Sequence, residues 1–384
     1  MKKIFCLGIF LWITAPQVWA AQPLKRPLNF VSADSVVVWG DDRSDFRATA
    51  LAIDPQLQVR PVSVAAINKK QWKRDYEEWT RELLPSLNLS ASVADEQGKI
   101  SVVPTASLVQ NAGKMFLQSG NSQFMDVVER AAWNGLMAVA VPGELTFDKH
   151  VAAQALINTS SMIYATDEEG VYVNLYINSS THIKTQHLDF VLDQLTVMPH
   201  DGRVKLRMGG LSKGLQRIKI RLRMPDWTFG RFSETYHFAL THTVSQLPQV
   251  YVNGREENYP VENGYLVIDR PWNSGDEVYF DFPFQVQYLS PVRQGEICKG
   301  MIAFQRGPLV YGFRQPTEGG VFSLQNAAKE DASPNQFGHS QIAVPVTMMD
   351  GTSAVYKAEP MMDGAEYLWM NTEESSWSSS QTVK

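Results

Sequence analysis

Cysteine is nearly absent: the 384 residues include two, Cys6 and Cys298. Cys6 falls in an N-terminal leader, so the rest of the chain holds only Cys298, which excludes an internal disulfide and a multi-cysteine zinc site. No long lysine or arginine run occurs and the formal charge is −5, so nucleic acid is not an expected partner. A glycine-rich phosphate loop and a Gly-x-Ser-x-Gly elbow are both missing, which leaves nucleotide and ordinary esterase chemistry without a motif. Beyond the leader no stretch approaches the ~20 apolar residues of a membrane-spanning helix.

What is present begins with that leader. Lys2 and Lys3 precede an apolar run over 4–15, and Ala20 or Ala21 offers a small-residue cleavage site. Residues 1–21 therefore read as a signal peptide, and the protein as periplasmic or secreted, without a membrane anchor once the signal is removed. Cys6 follows no small-residue lipobox, against a lipid anchor.

Residues 22–90 hold β-like runs at 35–39, 48–53 and 57–67, punctuated by Pro55 and Pro61. Helical spacing follows over 69–84, with Trp72, Tyr76, Trp79 and Leu83 on one stripe. That stripe suits a helix docked on the core better than an aromatic sugar platform. A serine-rich connector over 86–101 separates it from helices at 105–119, ended by Gly120, and 122–139, with Ser122 as N-cap. In the latter, Phe124, Val128, Ala131 and Leu136 carry the buried face. A third helical run leads into 163–180, on which the chain pivots: helix end, acidic turn Thr166 to Gly170, then a strand. Val171, Val173, Leu175 and Ile177 alternate there with Tyr172, Asn174 and Tyr176.

After this pivot the pattern is β throughout. Ile218, Ile220, Leu222 and Met224 alternate inward with Arg and Lys outward, and Asn253-Gly254 marks a hairpin. Residues 314–341 read as a polar loop, 342–370 as a last short β pair, and the tail from Glu373 as disordered. The expected class is α+β: a helical remnant over 91–165, an antiparallel β-sandwich over 166–320, and a C-terminal loop, β pair and tail over 321–384.

Several strings taken together resemble the β-L-arabinofuranosidases of glycoside hydrolase family 127: "IYATDEEGVYVNLYI", "IKIRLRMPDW", "GYLVIDRPWNSGDEVYFDFP", "QRGPLVYGF" and the helical "ERAAWNG" turn. The resemblance runs from about Ala106 to Tyr311. It implies an (α/α)6 catalytic barrel followed by β-sandwich domains, with a zinc-held cysteine thiolate as nucleophile and a glutamate as general acid. Too few residues precede the matching helix pair to supply the earlier barrel helices. Where the family carries its Glu and Cys, this chain reads Ser101 to Ser107. Where the family carries its paired cysteines, it reads Phe147, Asp148, Lys149 and His150. Thiolate chemistry needs a thiol, so the family reaction is not expected here, nor its zinc.

Cys298 reads as a buried structural thiol. Asp148 suits a solvated helix start beside His150. Asp167, Glu168 and Glu169 form a carboxylate cluster, but neighbouring turn acids rarely flank a scissile bond. His182, His187, His200, His237 and His242 are scattered, and the resemblance places Trp227 and Trp272 at packing positions of the sandwich. No catalytic, cofactor or metal residue is assigned. The chain reads as a carbohydrate-linked, catalytically degenerate relative that binds a plant or algal glycan or a partner, with a homo-oligomer or docking to a glycosidase expected to cover the apolar surface that a shortened barrel leaves. The alternatives are a glycosidase using another carboxylate pair and an assembly partner of a full-length glycosidase.

Overall fold

The computed structural model describes residues 22–36, 45–83, 102–211, 215–229, 238–242, 247–293, 296–297, 300–317 and 319–373. The leader, the 86–101 connector, His237, Cys298 and the tail beyond Glu373 lie outside them.

The run expected as a strand at 48–53 belongs to a helix, Phe46–Ile53. Asp45 caps it, accepting from the backbone of Arg47 and Ala48, and Phe46 and Ala50 bury one face. Short apolar runs carry no decisive period, and here the cap decided. The 57–67 run forms no strand either. It lies extended beside helix Phe147–Thr159, where Arg60 N–H donates to Asn158 Oδ1 (2.8 Å) and Gln154 Nε2 donates to Gln58 O (3.1 Å). Helix Lys69–Glu78 continues as a π-helical turn, Trp79–Leu83. Trp72 and Trp79 are buried and Tyr76 half-buried, all three against the Phe124 ring at 6.2, 5.4 and 6.4 Å. The aromatic stripe is core.

Helix Val102–Ser119 ends at Gly120 (φ 64°), as expected. The next cap is one residue earlier than expected: Asn121, not Ser122, accepts from Gln123 N–H, while Ser122 N–H donates to Asn263 O. The pivot also differs. After a single turn at Ser160–Met162 the chain enters strand Tyr164–Thr166, so the acidic turn closes a β-hairpin with Gly170–Val173 rather than ending a helix. All four residues of Gly170–Val173 are buried, because that strand lies inside its sheet and is covered on both faces. A Cβ on Gly170 would lie 1.8 Å from Lys219 O, so no side chain fits there.

Three sheets follow. The first orders Asn29–Val31, Tyr164–Thr166, Gly170–Val173, Gln216–Arg223, Tyr265–Trp272 and Val261–Glu262, with Gly170–Val173 parallel to Gln216–Arg223 and every other pair antiparallel. The second is wholly antiparallel: Arg255–Glu257, Val250–Val252, Glu277–Asp281, Arg203–Gly209, Asp189–Thr196, Ser179–Lys184 and Ser35–Val36. Ile218, Ile220 and Leu222 of the first and Val204, Leu206 and Phe280 of the second join one buried core. Tyr176 bridges them, donating to Arg223 O while its ring meets Phe280 at 5.6 Å.

The third sheet carries the C-terminal strands. The polar loop expected over 314–341 in fact contains strands Gly320–Phe322 and Lys329–Pro334, and Ser340–Met348 pairs with Ser353–Pro360 as the anticipated last β pair. The class is α+β with antiparallel sheets dominant. Among the described residues no helix is long and apolar enough to cross a membrane.

Candidate functional site

The acids of the pivot turn are bound up in structure. Asp167 Oδ1 accepts from Glu169 N–H and Gly170 N–H (both 2.8 Å), and its Oδ2 lies 2.9 Å from Arg221 Nη2. Glu168 pairs with Arg26. Lys219 Nζ sits 2.7 Å from Glu169 Oε2, and that hydrogen bond holds the Glu169 carboxyl below its usual range. The expected outward pattern on Gln216–Arg223 fails for this reason: Arg221 folds over the Tyr172 ring (4.4 Å) to reach the turn.

Asp148 is exposed in the first turn of Phe147–Thr159, and His150 Nδ1 lies 3.2 Å from Asp54 Oδ2. A structural zinc needs four ligands and a catalytic one three. Among the described residues no three of His, Cys, Asp and Glu are placed so as to hold a metal ion, so these residues do not fit the zinc that the resemblance implies. His182 pairs with Asp189 (2.7 Å), and His187 N–H donates to Thr185 Oγ1. His200 stacks on His339 with centroids 4.0 Å apart, and His339 Nδ1 lies 2.7 Å from Asp363 Oδ2. His242 ends strand Phe238–His242. Trp272 is core, its Nε1 donating to Ile218 O.

Trp227 leads to a cluster that the sequence did not reveal. Its Nε1 donates to Glu129 Oε2 (3.0 Å). Helix Ser122–Ala131 aims Asp126, Glu129 and Arg130 at Arg223 and Asp226. Arg223 Nη1 is 2.5 Å from Asp126 Oδ1 and its Nη2 pairs with Glu129, while Arg130 Nη2 is 2.7 Å from Asp226 Oδ1. Three carboxylates face two guanidiniums, leaving one negative charge in excess. Burial first, then the Asp226 charge, pushes the Asp126 carboxyl well above its ordinary range, and burial raises Asp226 too, so Asp126 favours its protonated form more than an exposed carboxyl does. Burial works against the Arg223 charge, but the Glu129 and Asp126 carboxylates outweigh it and raise its pKa. No atom of the Arg223 side chain is exposed, so this cluster joins helix to sheet and offers no surface to a substrate.

The open site lies on the outer face of the second sheet. Tyr251 and Tyr279 are directly opposed across strands Val250–Val252 and Glu277–Asp281, with centroids 6.3 Å apart at 45°. They are outward residues between inward Val250, Val252, Val278 and Phe280. A recess of about 500 Å³ opens beside them, lined also by Asp201, Leu247, Gln249 and Asp281. Gly202 makes its floor possible: a Cβ there would lie 2.1 Å from Phe282 O. The two carboxyls are driven apart in acidity. Burial opposes ionisation of Asp201, but hydrogen bonds from Arg203 Nε (2.9 Å) and N–H (3.0 Å) outweigh it and hold its pKa low. Asp281 is raised, by partial desolvation and then by the Asp201 charge. A recess of this size, with aromatic walls and a few polar groups, suits a small polar ligand.

Residues 170–284 match the family model described as the β-L-arabinofuranosidase, GH127 middle domain, a span that includes the Tyr251–Tyr279 pair and both recess aspartates. No curated protein sequence matches the chain. Among solved structures the chain is similar to a GH127 β-arabinofuranosidase (21% identity, TM-score 0.59, 71% of this chain and 49% of the other). It is also similar to a GH127 β-L-arabinofuranosidase from Geobacillus stearothermophilus (17%, 0.64, 85% and 59%). A third similar structure is described as a glycoside hydrolase (16%, 0.58, 71% and 52%). The chain thus spans about half to three-fifths of these structures' length. The resemblance to glycoside hydrolase family 127 stands, and the likeness in fold extends beyond the matched span.

Proposed function

We propose that this glycoside hydrolase family 127-like protein acts on the exported side of the cell as a glycan-binding relative that does not run the family's thiolate reaction. The observation that carries it is the Tyr251–Tyr279 recess, an open polar and aromatic hollow within the matched span 170–284. The missing Glu and Cys at 101–107 point the same way. The test incubates the protein with L-arabinofuranosides and with mixed plant and algal oligosaccharides, reading release by mass spectrometry and binding by a glycan screen. Binding without release is expected. Monosaccharide release that chelator or Cys298→Ala abolishes would overturn the proposal.

One observation favours a second reading. Asp201 and Asp281 line the same recess, and hydrogen bonding to the first and partial burial of the second move their acidities in opposite directions, as paired glycosidase carboxyls require. On this reading Asp281 donates a proton to the leaving oxygen and Asp201 acts as base or nucleophile. Release that survives chelator and Cys298→Ala, but is lost in both Asp201→Asn and Asp281→Asn, would establish it.

A further inference from the structure

Resting on the carbohydrate reading, we infer that the outer face of the second sheet is an extended platform for a neutral oligosaccharide chain, with Tyr251 and Tyr279 stacking successive sugar rings. Two recesses of about 500 Å³ each adjoin the same tyrosine pair. One contains Asp201 and Asp281; the other contains Lys205 and Glu277. Glu277, Tyr279 and Asp281 alternate on one strand and so share one face. Glu277 and Asp281 therefore flank the Tyr279 ring on opposite sides, about 13 Å apart at ~3.3 Å per residue. That separation is longer than one sugar ring, and the platform takes several units rather than a single terminal residue.

The chemistry of the walls sets the ligand class. Tyr279 is 40% exposed, in a strand whose inward neighbours Val278 and Phe280 are fully buried. An exposed ring held by a buried strand presents a rigid apolar face to the C–H face of a sugar, with its hydroxyl free for polar contacts. On either side stand groups that exchange hydrogen bonds with sugar hydroxyls: Asp281 on one flank, the Lys205–Glu277 pair (2.8 Å) on the other. Arg203, Lys205 and Arg207 stand directly opposite Asp281, Tyr279 and Glu277, so with Asp201 three acids meet three bases and the face carries no net charge. Such a face has no surplus positive charge with which to attract a polyuronate, and its paired charges suit the hydroxyls of a neutral glycan.

The experiment titrates the full chain by calorimetry with neutral arabino-oligosaccharides of increasing length, free arabinose and polygalacturonate. The variants are Tyr251→Ala, Tyr279→Ala and, as a control for loss of an exposed ring elsewhere, Tyr367→Ala. The expected result is affinity that rises with chain length, weakens tenfold or more in either recess variant, is unchanged in Tyr367→Ala, and is weaker for polygalacturonate than for a neutral chain of like length. Circular dichroism confirms that each variant is folded. Oligosaccharide binding that is unaffected in both recess variants would overturn this inference and leave glycan binding standing elsewhere on the protein. Free arabinose bound as tightly as the longest chain would overturn the extended platform. Binding of no neutral glycan at all would overturn the inference and the carbohydrate reading together.

Discussion

Arg223 has no exposed side-chain atom, yet it carries a charge between Asp126 and Glu129 while its Nε donates to Asn174 O. Truncating one partner of a buried pair costs about 3–5 kcal/mol, because the remaining charges stay buried and uncompensated. Arg223→Ala is expected to lose that much in urea unfolding at neutral pH. Asp126→Asn should cost far less, since an amide resembles the protonated carboxyl that burial already favours. The sign of the pH effect follows from linkage. The folded pKa of Asp126 is above its unfolded value, so its contribution is complete below about pH 4 and is lost as pH rises through the raised folded value. Asp126→Asn removes that titration, so its stability relative to the parent should improve from pH 5 to pH 9. A difference that stays constant across that range would sink this assignment of the proton.

At the scale of elements, much was legible because local pattern and burial agreed. The 3.6-residue stripe through Trp72, Tyr76 and Trp79 and the alternation of Ile218, Ile220 and Leu222 both name buried faces correctly. What was hidden depends on partners remote in sequence. Arg221 and Arg223 hold solvent-facing places in the alternation, but the acidic turn and helix Ser122–Ala131 cover them. The strands within 314–341 lack a strong alternating pattern and are defined by pairing to Ser340–Met348. The recess was legible in principle: Tyr251 and Tyr279 are aromatics at outward positions of alternating strands, although their opposition across the sheet needs the register. In strand Lys329–Pro334, Asp331 accepts from Ser333 N–H (2.9 Å) and pairs with Lys357 (3.0 Å), and its pKa falls to about 2. A depressed carboxyl stabilises above its unfolded value near ~4 and loses that contribution as pH falls through its folded value. Asp331→Asn should therefore match the parent's stability only below about pH 2 and fall behind it most above pH 4, measured by thermal unfolding. Equal pH profiles would show that the pair contributes nothing to the hairpin.

For the whole molecule, one helical segment holds the helices to two different sheets. Arg130 reaches Asp226, just beyond strand Gln216–Arg223 of the first sheet, and its Nη1 donates to Gln305 (3.0 Å) in the third. The π-helical turn Ala132–Leu136 widens the backbone where Asn134 must reach outward. Asn134 Nδ2 donates to Pro308 O (3.0 Å) while its Oδ1 accepts from Val310 N–H (2.8 Å), completing the edge of the hairpin that joins Met301–Arg306 to Leu309–Gly312. Each buried polar group left without its partner costs about 1–3 kcal/mol, so these bonds couple the third sheet to the helices more specifically than the shared apolar core does. The parent protein should unfold in a single calorimetric transition whose van't Hoff and calorimetric enthalpies agree. Asn134→Ala, whose partners Pro308 and Val310 both belong to the third-sheet hairpin, should lower the stability of that sheet selectively, splitting the trace into an early C-terminal transition and a later one for the helices and first two sheets. Hydrogen exchange would place the early transition, with protection falling first in Ser340–Met348 and Ser353–Pro360. A single transition that merely moves to lower temperature would mean that the continuous core, rather than Asn134, makes the molecule unfold as one.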